Sequence, residues 1–162
     1  MKRVVAVLLL ATLLLVGPAA PASAATRVRA TGSFTTELFL PTLTTTPVGA
    51  HACHLTVEGR LTFEGTLEGT GEGRTTALIF APCDDVATNP PGAFADVFTS
   101  QIAFDGTVDG TPVTADMVWL GKTKAGGAIT SVMLVGGDVE GLLRVDAVVG
   151  QGGTYRGLVA LD

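Results

Sequence analysis

Both histidines of the chain lie within four positions, in His51-Ala52-Cys53-His54, and one of its two cysteines sits between them; the other is Cys83. Imidazoles and a thiol so close together are the raw material of a zinc site or an activated nucleophile. The spacing matches none of the usual finger or ribbon patterns, and in an extended strand Cys53 and His54 point to opposite faces. No metal is therefore expected. The residues that follow support an extended reading: Leu55, Val57, Leu61 and Phe63 alternate with Thr56, Glu58, Arg60 and Thr62. This is the period-two pattern of a half-buried strand. His54 falls with the polar set and is expected to face water.

The thiols depend on compartment. Met1-Lys2-Arg3, the apolar run from Val4 to Gly17 and the small residues ending at Ala22-Ser23-Ala24 form a secretory signal with an A-x-A cleavage site. Residues 1–24 are expected to be removed, leaving 25–162 as one exported domain. In an oxidising compartment Cys53 and Cys83 are expected to form a disulfide, which excludes thiolate catalysis. No later segment has the roughly 20 consecutive apolar residues of a membrane helix, so no stable membrane insertion is expected once the signal is gone.

Other catalytic patterns are equally sparse. Gly69-Thr-Gly-Glu-Gly73 has neither the lysine nor the following helix of a phosphate loop. Asp105 with Asp109, and Asp84 with Asp85, lack the remaining ligands of a calcium loop. The small-residue turn G-x-S-x-G is absent. Among fifteen acids, only Asp146 sits in a run that looks buried, and Arg144 shares its parity as a possible ion partner. No catalytic residue and no cofactor is assigned. Loss of Lys2 and Arg3 reduces the ten basic residues to eight against fifteen acids, a formal charge of −7. That sign repels phosphate backbones, and nucleic acid is not an expected partner.

The elements are strands. Short runs rich in Val, Thr, Ile and Phe, punctuated by Gly, Asp and Pro, predict strands near 27–40, 54–63, 66–80, 97–108, 111–121, 128–136, 139–149 and 154–161. Asp109-Gly110 suits a two-residue type I′ hairpin. Its register pairs Ile102 with Met117, Phe104 with Ala115, Ser100 with Trp119 and Phe98 with Gly121 on one mainly apolar face. The Glu-Gly pairs at 58–59, 64–65, 68–69 and 72–73 suggest bulges and sharp bends. Residues 82–95 form the longest expected loop, placed to shut one end of the molecule. Eight antiparallel strands close into an up-and-down barrel without free edges, with a two-sheet sandwich as the alternative.

The order of FDGTVDG (104–110), VEGLLRV (139–145) and GGTYRG (152–157) resembles bacterial relatives of the allene oxide cyclase and dirigent-type, calycin-like barrels, over roughly residues 54–162. The resemblance implies a small barrel whose relatives include cyclases, binders of small apolar molecules and proteins without assigned activity. It transfers no catalytic residue. Phe104, Met117, Trp119, Met133 and Tyr155 would line an apolar pocket, unless side chains simply fill the interior. The expected role is a secreted, non-enzymatic protein that binds a small hydrophobic ligand or a protein partner. The alternatives are an isomerase or cyclase working in the barrel mouth, favoured by a cavity with an ionisable group at its floor, and a module that self-associates into a homo-oligomer.

Overall fold

The computed structural model describes residues 25–161, so the expected signal lies outside the described residues. Eight strands, β1 (Thr26–Pro47), β2 (Cys53–Gly65), β3 (Leu67–Ile79), β4 (Asp96–Val108), β5 (Thr111–Thr123), β6 (Ala128–Gly137), β7 (Val139–Val148) and β8 (Gly152–Leu161), pair in sequence order. β8 returns to β1 antiparallel, so the barrel is closed. The sandwich alternative is excluded, and every strand expected from the sequence is present.

The β4–β5 hairpin has the expected register, from Asp96 opposite Thr123 to Val108 opposite Thr111. Its turn takes two positive φ angles, 50° at Asp109 and 78° at Gly110, as a type I′ turn requires. Phe98, Ile102, Phe104, Met117 and Trp119 all point inward and are buried.

Two expectations need correction. The Glu-Gly repeat makes no bulge: β2 and β3 pair without a register shift from Cys53 opposite Ile79 to Phe63 opposite Gly69. Instead the repeat follows the strand alternation, with Glu64, Glu68 and Glu72 exposed outside and glycines on the inner parity; the expected sharp bend is present at Gly65, where φ is 110° and β2 turns into β3. A Cβ on Gly73 would lie 2.0 Å from the Gln101 carbonyl oxygen, so this position cannot carry an inward side chain without moving β4. The register shift lies in β1, between Phe39 and Thr44. Pro41 has no N–H for the ladder, and Thr42 stitches the gap: its hydroxyl donates to the Phe39 carbonyl at 2.7 Å and accepts the Glu58 amide at 2.9 Å.

The second correction concerns residues 82–95, which contain a short helix, α1 (Cys83–Thr88). Pro82 precedes it and Asp84 and Asp85 occupy its first turn, where negative charge complements the helix dipole. Asn89, held extended before Pro90, ends it. The Thr88 hydroxyl and the Asn89 amide donate to the last free carbonyls, at Asp84 and Asp85.

Candidate functional site: a capped cavity in one half of the barrel

The two ends of the barrel differ in how they are filled. At the end with the β2–β3, β4–β5 and β6–β7 turns, Phe63, Leu67, Phe104, Met117, Met133, Leu143 and Tyr155 are buried in continuous contact. Tyr155 reaches across the floor, where its hydroxyl accepts the Leu67 amide at 2.8 Å and lies 3.2 Å from the Glu64 and Leu67 carbonyls. Burial pushes the phenol pKa up, against the opposing effect of the Leu67 hydrogen bond. An aromatic column climbs from there: Tyr155 to Phe63, Phe63 to Phe34, Phe34 to Trp119 and Trp119 to Phe98, with centroids 5.2–5.9 Å apart.

Above that column the interior opens into a cavity of about 410 Å³, within the size range of small-molecule sites. Its boundary can be followed along each strand. Phe98, Ser100 and Ile102 of β4 line it but Phe104 does not; Val57 and Leu61 of β2 line it but Phe63 does not. The void is lopsided because β3 presents Gly73, Thr75 and Ala77 inward, whereas Met133, Leu143, Val145 and Tyr155 fill the β6–β8 side. Leu40 and Leu43, re-aimed by the β1 bulge, lie at its mouth.

Residues 80–95 cover it. The Phe80 amide bonded to the Ala95 carbonyl at 3.0 Å closes the base of this segment, and the Gly126 amide bonded to the Gly92 carbonyl at 3.0 Å anchors its tip to the β5–β6 turn. Gly92, at φ 86°, comes so close that a Cβ would lie 2.9 Å from the Gly127 Cα. Val86, Pro90, Pro91 and Phe94 complete the roof. Cys83 is joined to Cys53 with a Cα–Cα distance of 4.9 Å, which fastens α1 to the start of β2. The disulfide is thus as expected, and its role is to tether the cap.

The wall is apolar with few polar groups. Ser100 is buried and shares a 2.7 Å hydrogen bond with Thr75. Trp119 donates from Nε1 to Ser131 Oγ at 2.7 Å, and Ser131 bonds the Val145 carbonyl. Asp96 and Arg60 are the ionisable residues among the described lining. Arg60 stands on the outer parity, exposed and paired with Glu72. Asp96 stands on the inner parity, and its Oδ1 is buried with no hydrogen-bond partner. Burial raises the Asp96 pKa above the usual carboxylate value, and the hydroxyl and amide of Thr123, its cross-strand partner, only partly oppose this.

Of the five residues named from sequence as pocket lining, Trp119 forms part of the wall. Phe104, Met117, Met133 and Tyr155 are buried in the packed half, on the correct face but below the floor. Asp96 was missed because the strand was expected to begin at residue 97; the hairpin register extended by two pairs beyond Phe98–Gly121 would have placed it inside. His51, His54, Arg144 and Asp146 are exposed, and the last two do not form an ion pair. Among the described residues no group of three or more potential ligands could hold a metal ion.

No family model matches the chain, and no curated protein matches it. A solved structure from Shewanella oneidensis MR-1, described as a protein of unknown function from the DUF3224 family, matches with a TM-score of 0.60 at 17% identity. The match covers 85% of this chain and 98% of that one. At that identity the likeness establishes the fold alone. The chain is a small, closed β-barrel with a disulfide-tethered cap. Among the described residues no helix is long and apolar enough to cross a membrane.

Proposed function

We propose that this barrel is a secreted binding protein that encloses a small, largely apolar molecule in its capped half. The observation that carries the reading is the cavity itself, about 410 Å³ walled by Val57, Leu61, Ala77, Ile79, Phe98, Ile102 and Trp119. An interior meant only as core would be packed throughout, whereas here only the opposite half is filled by a continuous cluster of buried side chains. Export is supported by the signal-like first 24 residues and by a disulfide suited to an oxidising compartment. Trp119 is the sole tryptophan of the chain, so its fluorescence reports directly on the cavity. Titration with small apolar compounds is expected to shift that emission and raise the Tm by mass action. Ala77→Leu, which places a larger side chain in the void, is expected to abolish both responses while leaving the Tm of the free protein within a few degrees. Unchanged binding in this variant would reject the site.

An isomerase or cyclase is the second reading. It draws on the resemblance to allene oxide cyclase and dirigent-type barrels and on Asp96, an ionisable group in an enclosed apolar wall. We rank it below binding because Asp96 stands at the cap end rather than the floor. Moreover, Arg60, the other ionisable lining residue, is turned outward onto Glu72. Turnover of a bound compound that stops in Asp96→Asn would reverse the order.

A further inference from the structure

We propose that the cavity selects apolar molecules bearing a single protonated amine, with the Asp96 carboxylate as the counter-ion. This rests on the reading of the cavity as a ligand site and adds the chemistry of its headgroup.

The placement of Asp96 carries the argument. It is the first residue of β4 and shares the inward face with Phe98, Ser100 and Ile102, so its carboxyl stands over the apolar void directly beneath the cap. One oxygen, Oδ1, is buried without a donor. Buried oxygens in native proteins are nearly always hydrogen-bonded, and one that is not calls for a specific explanation. The protein offers the carboxyl a hydroxyl and an amide from Thr123, both neutral. It offers no cation: the one positive group among the described lining residues, Arg60, is exposed on the outer parity with its guanidinium on Glu72.

An ammonium group in the cavity supplies what the lining lacks, a charged donor at the open edge of the carboxylate and an opposite charge. An alcohol supplies only the donor, and a carboxylate or phosphate would be repelled. Oδ1 itself is closed to solvent, so the ligand meets the carboxylate through the other oxygen. Burial pushes the Asp96 pKa up, and an ammonium alongside would bring it back down. In a low-dielectric wall a charge-assisted hydrogen bond is about twice as strong as a neutral one. The acidic excess of the chain, fifteen carboxylates against ten basic residues, steers cations toward it.

The test compares three probes with one apolar body, 1-adamantanamine, 1-adamantanol and 1-adamantanecarboxylate, by Trp119 fluorescence on the full mature protein and on Asp96→Asn. The amine is expected to bind about tenfold more tightly than the alcohol, a difference of ~1.4 kcal/mol, and the carboxylate more weakly than either. In Asp96→Asn the amine is expected to fall to the level of the alcohol while the alcohol keeps its affinity. Equal binding of all three probes, or an amine preference that survives Asp96→Asn, overturns the headgroup assignment and leaves the apolar site standing. Failure of all three to bind overturns the cavity reading itself. The ranking on the unmodified protein decides the matter even if the variant does not fold.

Discussion

At the scale of single residues, Asp96 sets a cost against a use. Its folded-state pKa is raised above 3.8, so the folded protein holds this proton more tightly than the unfolded chain. Ionisation therefore penalises the fold as pH rises: the penalty is absent below the unfolded value and complete above the folded one. Asp96→Asn is expected to stabilise the protein modestly at neutral pH. The advantage should vanish below about pH 3, where the native carboxyl is protonated as well. Urea unfolding of both proteins at the two pH values checks this, and a constant difference would contradict it. Tyr155 behaves oppositely. Its hydroxyl is the acceptor for the buried Leu67 amide, and Tyr155→Phe leaves that amide without a partner. A loss of about 1–3 kcal/mol is expected in the same measurement, with no change in ligand affinity because Tyr155 lies below the cavity floor.

At the scale of elements, the cap and the hairpin matter most. The disulfide closes a loop with a sequence separation of 30, which in the chain-entropy model stabilises the fold by roughly 3–4 kcal/mol. Because Cys83 begins α1 and residues 86–94 roof the cavity, the tether also limits how the roof opens. Cys53→Ala/Cys83→Ala is expected to lower stability by that amount and to accelerate ligand release in stopped-flow measurements. A lower Tm with unchanged release would make the bridge a staple without a gating role. In the hairpin, Phe98 lies over Gly121, where a Cβ would come within 2.9 Å of the ring and 2.5 Å of the Ser131 Cβ. Gly121→Val is expected to cost about 1–3 kcal/mol through overpacking. The sequence had indicated this contact: the Asp-Gly turn sets the register, and the register places the ring over the glycine.

At the scale of the whole molecule, the outer wall carries an unusual feature. Leu134, Leu142 and Leu158 are direct cross-strand neighbours on β6, β7 and β8, and all three are exposed. Val118 of β5 continues the row beside Leu134. A contiguous apolar row of this kind is the type of surface that protein contacts cover. Leu142→Glu is expected to shift any dimer or higher assembly to monomer in sedimentation while leaving ligand affinity unchanged. An assembly that persists in this variant would direct attention to another face.

The sequence alone determined the strands, their count and the hairpin register, because side-chain parity and turn chemistry are local and repeat with a period of two. It also determined the inward set that includes Phe98, Ile102 and Trp119, and a pairing of Cys53 with Cys83, the two cysteines of the chain. Only the closed structure decided where the interior is full and where it is hollow. Parity names the face on which a side chain lies, but a void arises from what stands across the barrel, several strands away. Four of the five residues chosen from sequence as pocket lining proved to be packing for that reason. For the same reason the glycines of the Glu-Gly repeat, locally alike, divided between Gly65, which turns the chain from β2 into β3, and Gly59, Gly69 and Gly73, which are inner-parity positions without side chains. Asp96 became visible as a cavity residue only once the ring of strands and its cap were complete.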